Sequence, residues 1–301
     1  MLVAVIIPAI SILQGSFDAF AQTHHNVTME NQNYVGVNNQ KIWLQYPDER
    51  CIVKNCTFSN SSSNQLGGAL YIQISNRATG QMVNCTFTNC TSTANGGALW
   101  LDIGTGTVFT MEGLIKFKNC SGNVGGAFWT SVGSENSKLV INQMQFEDCS
   151  SSSTGGGTYI LSKLESHINI EQITFKNCST LSRGGGAHIV SEQKGNIQIN
   201  KITAEDCSSS KGNGGGIFAA IRFDESSHIK MTEITVLKCK AKSDTSNDVP
   251  PTGYGGGIFL AGYGTYDTLS KVLDFKKMKF NGNTADKAGQ TMYVALTKVA
   301  E

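Results

Sequence analysis

Short runs of alternating apolar and polar residues recur along the chain. Leu70, Ile72 and Ile74 form one, Leu99, Leu101 and Ile103 the next, then Ile217, Ala219 and Ile221, and last Met292, Val294 and Leu296. A period of two sends every second side chain to the same face of a strand, so these residues make an inward column. A second run gives Leu139 and Ile141, Ile168 and Ile170, Ile197 and Ile199, and Ile229 and Met231. A third places Cys85, Ile115, Met144, Ile173, Ile202 and Ile234 two residues before an inward anchor. The anchors are Phe58, Phe87, Phe117, Phe146, Phe175, Ala204, Val236 and Phe280, at intervals of 29, 30, 29, 29, 29, 32 and 44 residues. Between the second and third runs the parity slips, at Asn142-Gln143, Glu171-Gln172 and Asn200-Lys201, as a corner residue requires.

Three strands per repeat, a near-constant period and no helical periodicity predict an all-β chain. The expected fold is a right-handed single-stranded parallel β-helix of about eight coils, three strands per coil, with a period of about 29 residues. One solenoid over residues 51–301 accounts for the length, because stacked coils share a continuous core. The polar segment 22–50 is expected to cap its open end. Residues 1–13 are apolar apart from Ser11, and Ala19-Phe20-Ala21 has the small-x-small pattern of a cleavage site. Residues 1–21 are therefore expected as a secretory signal peptide, and the protein as secreted or displayed on the cell surface. No later stretch is apolar for the ~20 residues of a membrane span.

Gly67-Gly68-Ala69-Leu70 and Gly96-Gly97-Ala98-Leu99 resemble the GGA(I/L/V) motif, and Phe280-Asn281-Gly282-Asn283 resembles its FxxN partner. At the first corner, after Phe58, Ser61 occupies the Asn position and Asn60 lies one place earlier. Over residues 51 to 295 the chain thereby resembles the repeats of polymorphic outer membrane proteins, surface adhesins whose passengers are right-handed β-helices. The resemblance implies adhesion or recognition rather than catalysis. This chain departs from the pattern in having Cys for Asn in the middle six coils and Gly-Gly-Gly for Gly-Gly-Ala in four.

Composition narrows the function classes. A net charge of +1 with 16% charged residues gives no footprint for nucleic acid or an anionic membrane. Eight of the nine cysteines follow the repeat: Cys90, Cys120, Cys149, Cys178, Cys207 and Cys239 lie three residues after the anchor, Cys56 and Cys85 two before. Equivalent positions on stacked coils carry parallel rather than facing side chains, so a ladder of buried thiols is expected, with an occasional bridge as the alternative. No paired C-x-x-C knuckle suggests zinc, and no clustered Asp suggests calcium. No catalytic residue, metal or cofactor is assigned.

The candidate binding residues are the outward positions between the inward residues of the first strand: Tyr71, Trp100, Trp129, Tyr159, His188, Phe218, Phe259 and Tyr293. At about 4.8 Å per coil they would form a strip roughly 34 Å long, enough for several sugar rings or a partner's strand. Two readings stay open. The strip is a recognition face for a glycan or a surface protein, or its rings stabilise the sheet, alone or beneath the N-terminal segment. A polysaccharide lyase or glycoside hydrolase on a pectin-lyase-like β-helix is the alternative function. Its candidate acids, Glu147 and Glu205, would stand about 10 Å apart with Lys176 between them. The alternating Lys118, Glu147, Lys176 and Glu205 read more simply as a salt-bridge ladder. Of the sequons at Asn26, Asn55, Asn60, Asn84, Asn89, Asn119 and Asn177, Asn26 is the favoured glycosylation site, because the others fall in the repeat.

Overall fold

A computed structural model describes residues 26–246 and 251–300. The expected signal peptide lies outside the described residues. The chain is an all-β parallel solenoid of about nine turns. Three sheets run its length, and strands pair in parallel with their equivalents on the next turn. The front sheet holds nine strands, from Gln40–Leu44 and Leu70–Ile74 to Ile258–Tyr266 and Met292–Val299.

The second and third predicted runs merge in the middle turns into one strand, as in Lys138–Glu147 and His167–Lys176. The parity slip becomes an exposed residue inside that strand: Ile141 and Met144 are both buried, and Asn142 between them faces water. The third sheet comes instead from the Ser/Thr-rich stretches, where the sequence suggests turns. Pairs such as Thr91–Ser92, Ser179–Thr180 and Ser208–Ser209 stack there as very short strands.

The additional turn comes from the segment expected as a cap. Val27–Glu30 pairs with Arg50–Lys54, Asn33–Val35 with Thr57–Ser59, and Gln40–Leu44 with Leu70–Ile74. The segment covers the next coil by continuing its ladders.

The interior is built from residue columns. Tyr34, Phe58, Phe87, Phe117, Phe146 and Phe175 stack ring on ring at 4.8–5.0 Å between centroids. Beside them Ser61, the six corner cysteines and Asn283 occupy equivalent positions, all buried. All nine cysteines are free. Four of the six corner thiols donate weakly to the preceding coil, as from Cys239 Sγ to the Ala204 carbonyl at 3.6 Å. Asn283 does the same job more strongly: its Nδ2 donates to the Val236 carbonyl at 2.9 Å while its Oδ1 accepts from the Cys239 amide at 2.8 Å. Cysteine thus replaces asparagine as an inward corner donor. With no cation beside it, burial pushes the Cys51 thiol up to about 12 and holds that of Cys178 well above its ordinary value.

The paired glycines answer two separate demands. Gly67 and its equivalents adopt φ near +70°, a left-handed backbone that costs glycine nothing. A Cβ on Gly68 would lie 2.0 Å from the Gly97 carbonyl oxygen of the next coil. The second glycine therefore permits the coils to stack.

The outer face of the front sheet

Register and alternation place the candidate residues together. Tyr71, Trp100, Trp129, Tyr159, His188, Phe218, Phe259 and Tyr293 pair consecutively through the front sheet and form one column. Their inward neighbours, such as Leu99, Leu101, Ile217 and Ala219, are fully buried, so the column faces outward.

The rings lie against one another. Tyr71, Trp100 and Trp129 stack at 4.4 and 4.9 Å with interplanar angles of 7° and 1°. Trp129 and Tyr159 follow at 6.2 Å, and Phe218, Phe259 and Tyr293 form a second stack at 5.1 and 5.4 Å. His188 divides the two stacks, edge-on to Tyr159 and Phe218. Trp100, His188, Phe218 and Phe259 are only 4–8% exposed, and Tyr71, Trp129, Tyr159 and Tyr293 are half-buried. Trp100, Trp129 and Phe259 thus have a ring against each face, which leaves their edges toward solvent. Burial, with the nearby Arg183 charge, pushes the His188 imidazole down to about 3, and its Nδ1 lacks a hydrogen-bond partner. His188 is therefore a neutral ring among aromatics.

Two residues further along each strand lies a second outward column: Trp43, Gln73, Asp102, Ser131, Leu161, Val190, Ala220, Ala261 and Ala295. It is polar beside Tyr71, Trp100 and Trp129, at Gln73, Asp102 and Ser131, and apolar from Leu161 onward. On the apolar side Phe218, Ala220, Phe259 and Ala261 form a cluster separate from the main core. On the polar side the Tyr71 hydroxyl donates to Gln73 Oε1 at 2.9 Å. Partial burial raises the Asp102 carboxyl above the usual carboxylate range, opposed by the Lys163 charge and by hydrogen bonds from Ser131 and Gln73.

Trp43 differs from every ring of the strip. It is 62% exposed and takes part in none of the ring stacks. Sequence reasoning missed it because its strand lay in the supposed cap. Ile42 and Leu44 are the signal that could have found it, since they flank Trp43 with the same alternation that identifies the other front strands.

The ionisable candidates form no converging site. Glu147 meets Lys118 at 3.1 Å and Lys116 at 3.8 Å, and Glu205 lies 4.0 Å from Lys238. The expected charge ladder therefore closes at its Lys118–Glu147 step, while Glu205 turns to another lysine. The sequon asparagines have a structural job. Asn55, Asn60, Asn84, Asn89, Asn119 and Asn177 all adopt left-handed corners. Side-chain amides bond from coil to coil there, as from Asn89 Nδ2 to Asn60 Oδ1 at 3.1 Å and from Asn119 Nδ2 to Asn89 Oδ1 at 3.2 Å. Asn26 is exposed and precedes the first strand. Among the described residues no group of three or more His, Cys, Asp or Glu could hold a metal ion, and no helix is long and apolar enough to cross a membrane. Comparisons with protein-family models, with curated proteins and with solved structures find no match to this chain.

Proposed function

We propose that this chain is a non-enzymatic recognition protein, secreted or carried on the cell surface, which binds a glycan or a surface protein through the outer face of its front sheet. The observation that carries the reading is the second outward column of that face, which a rigid, in-register aromatic strip supports and which begins with the exposed Trp43 followed by Gln73 and Asp102. A solenoid places side chains at fixed spacing along a rigid sheet, which suits recognition of an extended partner. The GGA(I/L/V) and FxxN motifs, shared with polymorphic outer membrane protein repeats, support a role in adhesion. The apolar residues 1–13 and Ala19-Phe20-Ala21 support export, with Asn26 as the glycan acceptor near the start of the mature chain. The polysaccharide-cleaving alternative has less support, because Glu147 is paired with Lys116 and Lys118 and Glu205 with Lys238, so the two carboxylates do not converge on one site as an acid and its partner must.

Charge placed on the proposed face tests the reading. Gln73→Lys with Leu161→Lys alters two outward, half-buried positions of the front sheet, and Gln145→Lys with Thr174→Lys does the same on the long-strand sheet. In a cell-binding and glycan-array assay the first pair should lose binding and the second should retain it. The opposite pattern would move recognition to another face. Export is checked by sequencing the N-terminus of the secreted protein, expected near Gln22. An uncleaved chain kept inside the cell would contradict it.

A further inference from the structure

The two halves of the outer face differ in chemistry: the first holds Trp43, exposed and outside the ring stacks, and in the second the exposed Tyr263 has the Arg222 guanidinium 5.7 Å from its ring centre. Stacking on a sugar needs an open ring face, because the aliphatic C–H side of a pyranose lies flat on it. Trp100 and Trp129 have spent theirs on each other and on Tyr71 and Tyr159. Trp43, exposed and unstacked, has not.

Polar groups follow Trp43 along its own column. Gln73 lies one coil away and Asp102 two, at about 4.8 Å per step. The Tyr71 hydroxyl holds the Gln73 carbonyl oxygen at 2.9 Å, which leaves the Gln73 amide nitrogen to donate, and the half-buried Asp102 lies on the next strand in register with Gln73 and Ser131. A carboxylate offers about four acceptor sites for ligand hydroxyls. The strand pleat aims Asp102 outward, since Leu101 and Ile103 on either side are fully buried.

We infer that Trp43, Gln73 and Asp102 form a saccharide subsite for neutral pyranoses. One ring stacks on the Trp43 indole, and hydroxyls of the same or the next residue donate to Asp102 and accept from the Gln73 amide. This rests on the recognition reading and names its ligand class. Asp102 sets the selectivity, because a uronate or other acidic sugar would bring a second negative charge against its carboxylate. An apolar protein strand would instead favour the other half of the face, where Ala220, Ala261 and Ala295 make a flat surface beside Phe218 and Phe259.

The test is a glycan array followed by titration of intrinsic tryptophan fluorescence, with tetrasaccharides of glucose, mannose and galactose and with tetragalacturonate as probes. Wild type should bind at least one neutral probe and respond with a shift in tryptophan emission. Trp43→Ala should weaken that binding by about tenfold or more and remove the shift, and Trp43→Phe should restore part of the affinity. Asp102→Asn should weaken neutral binding and reduce the discrimination against tetragalacturonate. Melting curves of all three variants should match wild type. If Trp43→Ala binds as wild type does, the subsite is wrong while recognition by the outer face stands. If no neutral probe binds wild type, the subsite is equally overturned, and the lysine variants in the cell-binding assay decide whether the broader reading survives. If Trp43→Ala melts early and Trp43→Phe restores melting but not binding, the ring is structural and the subsite falls.

Discussion

The solenoid carries two aromatic ladders, one inside and one outside, and they are built alike. Phe58 to Phe175 stack at 4.8–5.0 Å in the core, and Tyr71 to Trp129 stack at 4.4–4.9 Å on the outer face. The coil repeat imposes that spacing on any column of rings, whichever way the column points. Stacking alone therefore does not mark a binding face, and its contribution to stability is the same in kind on both sides. The columns are told apart by what lies beside them. The inner rings are sealed by aliphatic side chains, glycine backbone and thiols. The outer rings border a second column that turns from Trp43, Gln73 and Asp102 to Val190, Ala220 and Ala261 along the axis.

The largest effect should come from the inner ladder. Phe146→Ala removes a fully buried ring stacked on both faces and should cost on the order of 3–5 kcal/mol, from lost burial and the cavity left behind. Solenoid stability is a sum over coils and their interfaces, so hydrogen exchange should rise first in the coils of Phe117, Phe146 and Phe175. Uniform loosening of the whole chain would show that the coils do not act as neighbouring units.

The outer ladder has a pH signature that the inner one lacks. The imidazole of His188 is held neutral down to about pH 3 in the folded state and takes a proton near pH 6.5 when unfolded. The unfolded chain therefore binds more protons between these values. This part of the stability is intact above pH 6.5 and is lost as the pH falls toward 3. By pH 5 the loss should be about 2 kcal/mol. In denaturant melts at pH 7 and pH 5, His188→Phe should remove that component of the pH dependence. An unchanged pH dependence would mean that the ring is not held neutral.

Much of this was legible in the sequence, for reasons that particular residues make plain. The anchor phenylalanines and the alternating Leu and Ile columns repeat because every coil solves the same packing problem. The aromatic column was readable from parity alone. The additional turn was hidden because its residues solve that problem differently. Tyr34 stands where later coils have Phe, and Val37-Asn38 stand where they have paired glycines. The Ser/Thr strands resemble turns in the sequence because strands of two residues carry too little alternation to register. The state of the strip was beyond sequence, since closed or open ring faces depend on coil spacing and side-chain tilt. The hydrogen bond from Tyr71 to Gln73, with Asp102 in register on the next strand, is likewise visible only in three dimensions.

The smallest effect should come from the surface charges. Lys118→Met breaks a 3.1 Å pair between half-exposed side chains and should cost no more than about 0.5 kcal/mol, with less effect still in high salt. A much larger loss would give the charge column a structural weight that its exposure does not suggest.

The central claim is a division of labour on the outer face, where the stacked strip holds the sheet together and the unstacked ring meets the ligand. Trp100→Ala and Trp43→Ala, measured side by side for melting temperature and for binding to the same neutral tetrasaccharide, test it most directly. Trp100 is 7% exposed between two rings, and its removal should lower the melting temperature by several degrees, consistent with about 2 kcal/mol lost. Below that transition binding should persist. Trp43→Ala should leave melting unchanged and weaken binding by about tenfold or more. Binding that follows Trp100 and ignores Trp43 would contradict the account.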